Sequence, residues 1–91
     1  MLRLYIAGAA PHSTQALENI RALCSEHVDD DYDLEIVDVL RDPRRALNDG
    51  ILVTPTLVKV APEPVGTLVG DLSATTVVLR TLGLPMRRGR E

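Results

Sequence analysis

The chain has a single cysteine, Cys24, among its 91 residues. One cysteine excludes an intramolecular disulfide, a Cys-x-x-Cys redox motif and a zinc site built on paired cysteines. Cys24 falls on the apolar stripe of a predicted helix, where we expect a small core residue rather than a nucleophile. Because such cysteine usage is typical of a reducing compartment, we expect the protein to be cytoplasmic.

Aromatic residues are also scarce, with two Tyr, no Phe and no Trp in a chain that is 45% hydrophobic. The core must therefore be built mainly from aliphatic side chains. Proteins that bind nucleic acids commonly combine a basic face with aromatic side chains that stack on bases. The net charge of −3 and the shortage of aromatics argue against a nucleic-acid partner.

Long apolar runs and metal-ligand patterns are missing too. Met1–Ile6 contains Arg3 and is too short for a signal peptide or a membrane span, so we expect no membrane partner. The acidic run Asp29–Asp31 lacks the turn glycine and the distal glutamate of a calcium loop. His12 and His27 stand at the two ends of one predicted helix, about 22 Å apart at a rise of 1.5 Å per residue. The sequence predicts no metal and no cofactor.

The first half of the chain has the pattern of a βαβ unit. Leu2–Ala7 and Leu34–Leu40 are short, mostly apolar runs that predict strands. Between them, Ser13 is placed to cap a helix whose apolar residues recur three and four positions apart. Two strands joined by a helix imply a parallel, right-handed crossover. The apolar helix positions are Ala16, Leu17, Ile20, Leu23, Cys24 and Val28.

The second half predicts a short helix and then a strand pair. Asp42-Pro43 is typical of a helix N-cap followed by the first helical residue, and Asn48-Asp49-Gly50 supplies a stop. The helix between them is short, at Arg44–Leu47. Thr56–Ala61 and Val65–Val69 predict two antiparallel strands.

The last segment has two interpretations. Ser73 is a plausible N-cap, and Leu72 and Val77 have the spacing of a hydrophobic staple, which favours a helix. The β-branched run Thr75–Val78 has low helix propensity and suits a strand equally well. The sequence leaves this choice open.

The predicted order βαβαββα is that of a thioredoxin-like α/β fold, in one domain over residues 1–85 with a short basic tail at 86–91. In this fold a proline at the start of the third strand can carry a cis peptide bond. Pro55 occupies that place, although only about 5–6% of X–Pro bonds are cis. A thioredoxin-type enzyme also needs a thiolate at the start of the first helix, and Ala9–Ser13 supplies none. We predict no catalytic residue.

Five segments carry a more specific similarity, and they span residues 2 to about 84. They are Leu4–Gly8, Val37–Leu40, Asp42-Pro43, Ile51–Val60 and Gly70–Ser73. By their order and spacing the chain resembles the KaiB family of circadian clock proteins. It departs from members with full clock function at Gly66 and Thr67, where these commonly carry two arginines. It departs again at Met86–Glu91, where they carry an acidic extension.

The resemblance implies a non-enzymatic regulator that binds a KaiC-type RecA-like ATPase ring and modulates its phosphorylation or ATPase state, in circadian rhythm or a related timing or stress response. It also implies two folds: a thioredoxin-like monomer, which we expect to dominate, and a form with a rearranged C-terminal half that packs as a tetramer. A dimer or tetramer is the expected homo-oligomer. The residues assigned to partner binding are Lys59, Asp42, Arg44, Arg45 and Asn48, with Pro55 shaping the surface.

Other interpretations remain at this point. From the residues alone, Lys59 is a solvated charge on a strand face. The chain as a whole could be a redox-inactive thioredoxin-fold module that binds glutathione or another thiol. It could also be a KaiB-like sensor domain, because Pro62-Glu63-Pro64 is similar to the turn in such domains of the related clock histidine kinase.

Overall fold

The computed structural model describes residues 1–27, 33–61 and 65–82. The acidic run, the Pro62-Glu63-Pro64 turn and the basic tail lie outside these residues. The described elements follow the predicted βαβαββα order, which confirms the α/β fold class. They are β1 (Leu2–Ile6), α1 (Pro11–His27), β2 (Leu34–Asp38), α2 (Pro43–Asn48), β3 (Thr56–Lys59), β4 (Gly66–Val69) and α3 (Thr75–Leu82).

The four strands form one mixed sheet in the order β2-β1-β3-β4. β1 and β2 are parallel, as the crossover helix between them requires, whereas β3 is antiparallel to both β1 and β4. Leu4 lies opposite Ile36 of β2 and Leu57 of β3, and Leu57 lies opposite Leu68 of β4. An apolar row therefore crosses the sheet on one face.

The main core lies between this face and the helices α1 and α3. Side chains of the sheet and of both helices form one cluster of buried aliphatic residues, as the shortage of aromatics predicts. Cys24 is buried in this cluster, and burial raises the pKa of its thiol. The cluster comprises Leu2, Leu4, Ala16, Ile20, Leu23, Cys24, Leu57, Leu72, Val78 and Leu79.

Helix α1 starts earlier than predicted. It begins at Pro11, and the N–H of Thr14 donates to the carbonyl of Ala10 at 2.9 Å. Ser13 is therefore inside the helix and is not its cap. Its buried hydroxyl oxygen accepts a hydrogen bond from the N–H of Ala7 at 3.0 Å, which ties the helix to the end of β1. The wrong prediction arose because a serine near a helix start is usually a cap.

The last described segment is a helix, which decides between the two sequence interpretations. α3 covers Thr75–Leu82, and the N–H of Val78 donates to the carbonyl of Ala74 at 3.0 Å. The first turn thus starts after Ser73, whose N–H donates to Asp71 Oδ1 at 3.1 Å. Val78 and Leu79 are buried, so tertiary packing overrides the low helix propensity of the β-branched run.

Within the described residues, no helix is long and apolar enough to cross a bilayer.

Candidate partner-docking surface

Helix α2 has both of the ends that the sequence predicts. Asp42 caps it, because Asp42 Oδ1 accepts a hydrogen bond from the N–H of Arg45 at 3.4 Å, and Pro43 is the first helical residue. After the helix, Gly50 adopts a left-handed φ of 74°, a conformation that favours glycine. The next amide, that of Ile51, donates to the carbonyl of Ala46 at 2.9 Å and closes the helix.

An exposed apolar surface runs from α2 into the segment that follows it. Leu47 is 76% exposed, Leu52 91% and Val53 51%. Together with Pro43 and Ile51 they line a shallow depression of about 300 Å³, and we call these five residues the α2 surface. Large exposed apolar patches are common at sites of contact with other molecules, which makes the α2 surface the candidate docking site.

The cis-proline site lies directly after the α2 surface. The Thr54–Pro55 peptide bond is cis and Pro55 is buried, so the cis alternative of the sequence analysis is the one observed. The hydroxyl of Thr56 donates to the carbonyl of Val53 at 2.6 Å and fixes the segment before the proline.

Three of the predicted binding residues lie exposed on or beside α2. Asp42, Arg44 and Asn48 are all exposed. A fourth, Arg45, is only partly exposed, at 35% of its side chain, because its guanidinium is turned toward the sheet. These four residues therefore lie together at α2, and Arg45 has intramolecular partners that sequence spacing alone does not reveal.

The observed burial of Lys59 corrects the sequence interpretation of this residue. Its predicted position on a solvated strand face is wrong, because the residue is 4% exposed. It lies opposite Leu2 in the β1–β3 ladder, and residues paired across a ladder point to the same face of a sheet. Lys59 also shares its face with Leu57, two residues earlier, since side chains alternate along a strand. Period-two alternation along the predicted strand already places Lys59 on the same face as Leu57, so the sequence pattern itself disagrees with a solvated Lys59 once Leu57 is buried.

On the other face of the sheet, charged side chains meet at Glu35. Arg45 donates to both carboxylate oxygens of Glu35, at 2.7 and 2.9 Å. Arg3, on the adjacent strand, donates from Nε to Glu35 Oε1 at 2.7 Å. The hydrogen bonds from Arg45 and then Arg3 lower the pKa of Glu35 to about 2. Glu35 therefore stays ionised between two guanidinium groups.

Tyr5 and Asp49 extend this network to the end of α2. The hydroxyl of Tyr5, which is 1% exposed, donates to Asp49 Oδ2 at 2.6 Å. Arg45 Nε lies 3.7 Å from the same oxygen. Burial and the hydrogen bond to Asp49 raise the pKa of Tyr5. We call these five residues, Arg3, Tyr5, Glu35, Arg45 and Asp49, the α2 tether.

The described elements together have a thioredoxin-like fold, with the α2 surface exposed beside the sheet. The N-terminal domain of SasA from Synechococcus elongatus superposes with a TM-score of 0.71 at 20% identity, covering 90% of this chain and 81% of that one. Thioredoxin 1 from Thermosipho africanus gives a TM-score of 0.70 at 17% identity, covering 90% and 89%. At these identities the two likenesses establish the fold.

Sequence relatives identify the family. A family model described as the KaiB domain matches residues 3–84. The circadian clock protein KaiB3 of Synechocystis is 49% identical over 92% of this chain and 80% of its own length. The circadian clock oscillator protein KaiB of Microcystis aeruginosa is 43% identical over 100% of this chain and 88% of its own length. The chain belongs to the KaiB family, as the sequence motifs predict.

Proposed function

We propose that the protein is a non-enzymatic regulator that binds a KaiC-type RecA-like ATPase ring in the cytoplasm and modulates its phosphorylation or ATPase state. Its setting would be circadian rhythm or a related timing or stress response. Membership of a family of circadian clock proteins supports the setting. The observation that carries the binding role is the exposed α2 surface.

The α2 surface has the composition of an interface centre. Leu47, Leu52 and Val53 are apolar and exposed around one depression, so a partner that covers them removes apolar area from water. Exposed polar residues, Asp42 and Asn48 among them, belong to the same helix region and would form the rim. An apolar centre inside a polar rim is the usual anatomy of a protein–protein interface.

The five predicted binding residues take separate roles in this proposal. Asp42, Arg44 and Asn48 are exposed and would contact the ring directly. Arg45 is held by Glu35 and would contribute mainly by keeping the helix in place. Lys59 is buried, so we assign it no direct contact with the ring. Self-association into a dimer or tetramer would be a competing state, because it could remove the monomer that binds.

The test is a titration of the protein into a KaiC-type ring from the same organism. Leu52→Ser removes the most exposed leucine of the α2 surface and should weaken binding by about tenfold or more, as for an apolar interface anchor. Val69→Ser is the matched control, because Val69 is also exposed, at 63%, but lies on β4. Equal affinities of wild type and Leu52→Ser, or no binding by wild type, would contradict the proposal.

A further inference from the structure

Helix α2 is too short to hold its own position. It has six residues, and Ala46 is its buried residue. Isolated helices of fewer than about 12 residues are marginal in water. One alanine offers little apolar area to pack, so the orientation of α2 must come from other contacts.

Polar contacts from the sheet supply that orientation at two points. In the middle of the helix, Arg45 holds Glu35 of β2 through two hydrogen bonds, at 2.7 and 2.9 Å. At the end of the helix, Asp49 accepts a hydrogen bond from Tyr5 of β1 at 2.6 Å. A planar guanidinium that binds both oxygens of a carboxylate fixes direction as well as distance. Two separate attachments determine the rotation of α2 on the sheet.

The sheet side of these attachments has contacts of its own within the sheet. Tyr5 is 1% exposed within a strand that pairs on both sides, with Val37 and Thr56. Glu35 is held from its own side by Arg3, whose Nε lies 2.7 Å from Oε1. The α2 tether therefore fixes the position of α2 relative to β1 and β2.

The arrangement of the α2 surface depends on the orientation of helix α2. Leu47 is on α2, and the N–H of Ile51 donates to the carbonyl of Ala46, so the segment that carries Leu52 continues directly from the helix end. A change in the rotation of α2 would move Leu47 relative to Leu52 and Val53. We propose that Tyr5, Glu35 and Arg45 are positioning residues that hold the α2 surface in its docking conformation. This inference rests on the function proposed above and deepens it.

Tyr5→Phe is the decisive variant. It removes only the hydroxyl, and Tyr5 is too buried to touch a partner. Any effect on binding must therefore pass through the hydrogen-bond partners of that hydroxyl, Asp49 Oδ2 at 2.6 Å and Arg3 Nη1 at 3.5 Å, which both belong to the α2 tether. We expect affinity for the ring to fall about threefold to tenfold, the range that corresponds to the net contribution of one ordinary intramolecular hydrogen bond. Hydrogen exchange should accelerate by a similar factor at the amides of Asp49, Gly50 and Ile51, while β1 amides stay unchanged.

Ile20→Val is the matched control, because Ile20 is fully buried in the core on the opposite face of the sheet. It should lower the free energy of unfolding without changing affinity or exchange in α2. Equal losses of affinity in both variants would mean that only global stability matters, and would overturn the inference. Unchanged α2 exchange in Tyr5→Phe would overturn it as well.

The two proposals fail in different ways. If the wild-type protein does not bind the ring, the proposed function is wrong. The exchange measurement still decides whether the tether positions α2, because it needs no partner. Faster α2 exchange in Tyr5→Phe would then support the positioning of α2 by the tether, and unchanged exchange would overturn it.

Discussion

Glu35 is the residue at which the charged side chains of the α2 tether meet. It accepts hydrogen bonds from guanidinium groups on both sides, and these lower its pKa to about 2. The carboxylate is about one-third exposed, so solvent and salt screen its ion pairs and their contribution to stability is modest. The main effect of Glu35 is to fix the orientation of the Arg45 guanidinium.

The first prediction concerns the pH dependence of stability. The pKa of Glu35 is about 2 in the folded protein, below the ordinary value of 4.5, so the unfolded state binds more protons between these values. The contribution of the ion pairs is therefore fully present above about pH 4.5 and is lost as pH falls toward 2. Glu35→Gln should show a shallower loss than wild type in urea denaturation series over this range. Glu18→Gln, at an exposed position on α1, is the control, and parallel curves for wild type and Glu35→Gln would contradict the network.

The second prediction concerns Leu57, which is 0% exposed in the main core. Leu57→Asp should destabilise the fold severely, because an unpaired buried charge costs several kcal/mol against a total stability of about 5–15 kcal/mol. Chemical denaturation followed by circular dichroism measures the effect. Val69→Asp, at an exposed position of the neighbouring strand, should have a small effect. An unchanged midpoint for Leu57→Asp would mean that the strand register is wrong by one residue.

At the scale of elements, α2 combines local signals in sequence with distant contacts in space. The Asp42-Pro43 start and the Gly50 stop are local, so the sequence predicts the helix almost to the residue. Its orientation depends on Tyr5 and Glu35, which come from strands whose pairing register is not encoded locally. This is why the sequence indicates Arg45 as a binding residue but does not reveal the tether.

The same distinction explains the other elements. Apolar periodicity predicts β1, β2 and the buried stripe of α1, because each pattern is complete within its own segment. The role of Ser13 could not be predicted, since its partner is the amide of Ala7 at the end of β1. The α3 helix depends on Val78 and Leu79 packing into the core, a tertiary effect that outweighs local preference. Lys59 is different, because side chains alternate along a strand, and this alternation alone places Lys59 on the same sheet face as Leu57.

The third prediction tests the rim of the α2 surface. Arg44 is exposed on α2, so Arg44→Glu should change the melting temperature little but weaken binding to the ring, since exposed charges affect association more than folding. The effect should shrink as salt concentration rises. Lys59→Glu does not test the rim, because Lys59 is buried and a glutamate there would destabilise the fold. Arg80→Glu, exposed on α3, is the control, and equal loss in both variants would remove Arg44 from the interface.

For the whole molecule, the resemblance to the family predicts two folds of the second half of the chain. The observed β4 and α3 belong to the thioredoxin-like form, and two packings of one sequence need differ by only a few kcal/mol for both to be populated. Oligomerisation can supply such a difference by mass action.

The fourth prediction is therefore a second set of NMR peaks for residues 51 to 82 that grows with protein concentration, together with a rise in molecular mass. The thioredoxin-like set should dominate at low concentration. Peaks of β1 and α1 serve as the internal reference. One set of peaks at every concentration and temperature, with a constant mass, would show that this member of the family has a single fold.

The fifth prediction concerns the central claim, that the α2 surface docks on a KaiC-type ATPase ring. The most direct test is hydrogen exchange of the full chain, measured with and without the ring. Docking should slow exchange over residues 43–53, where Leu47 and Leu52 lie exposed, and leave β4 unchanged. Leu52→Ser should reduce this protection at the same concentrations. Protection confined to β4 or α3, or no protection with the ring in excess, would contradict the account.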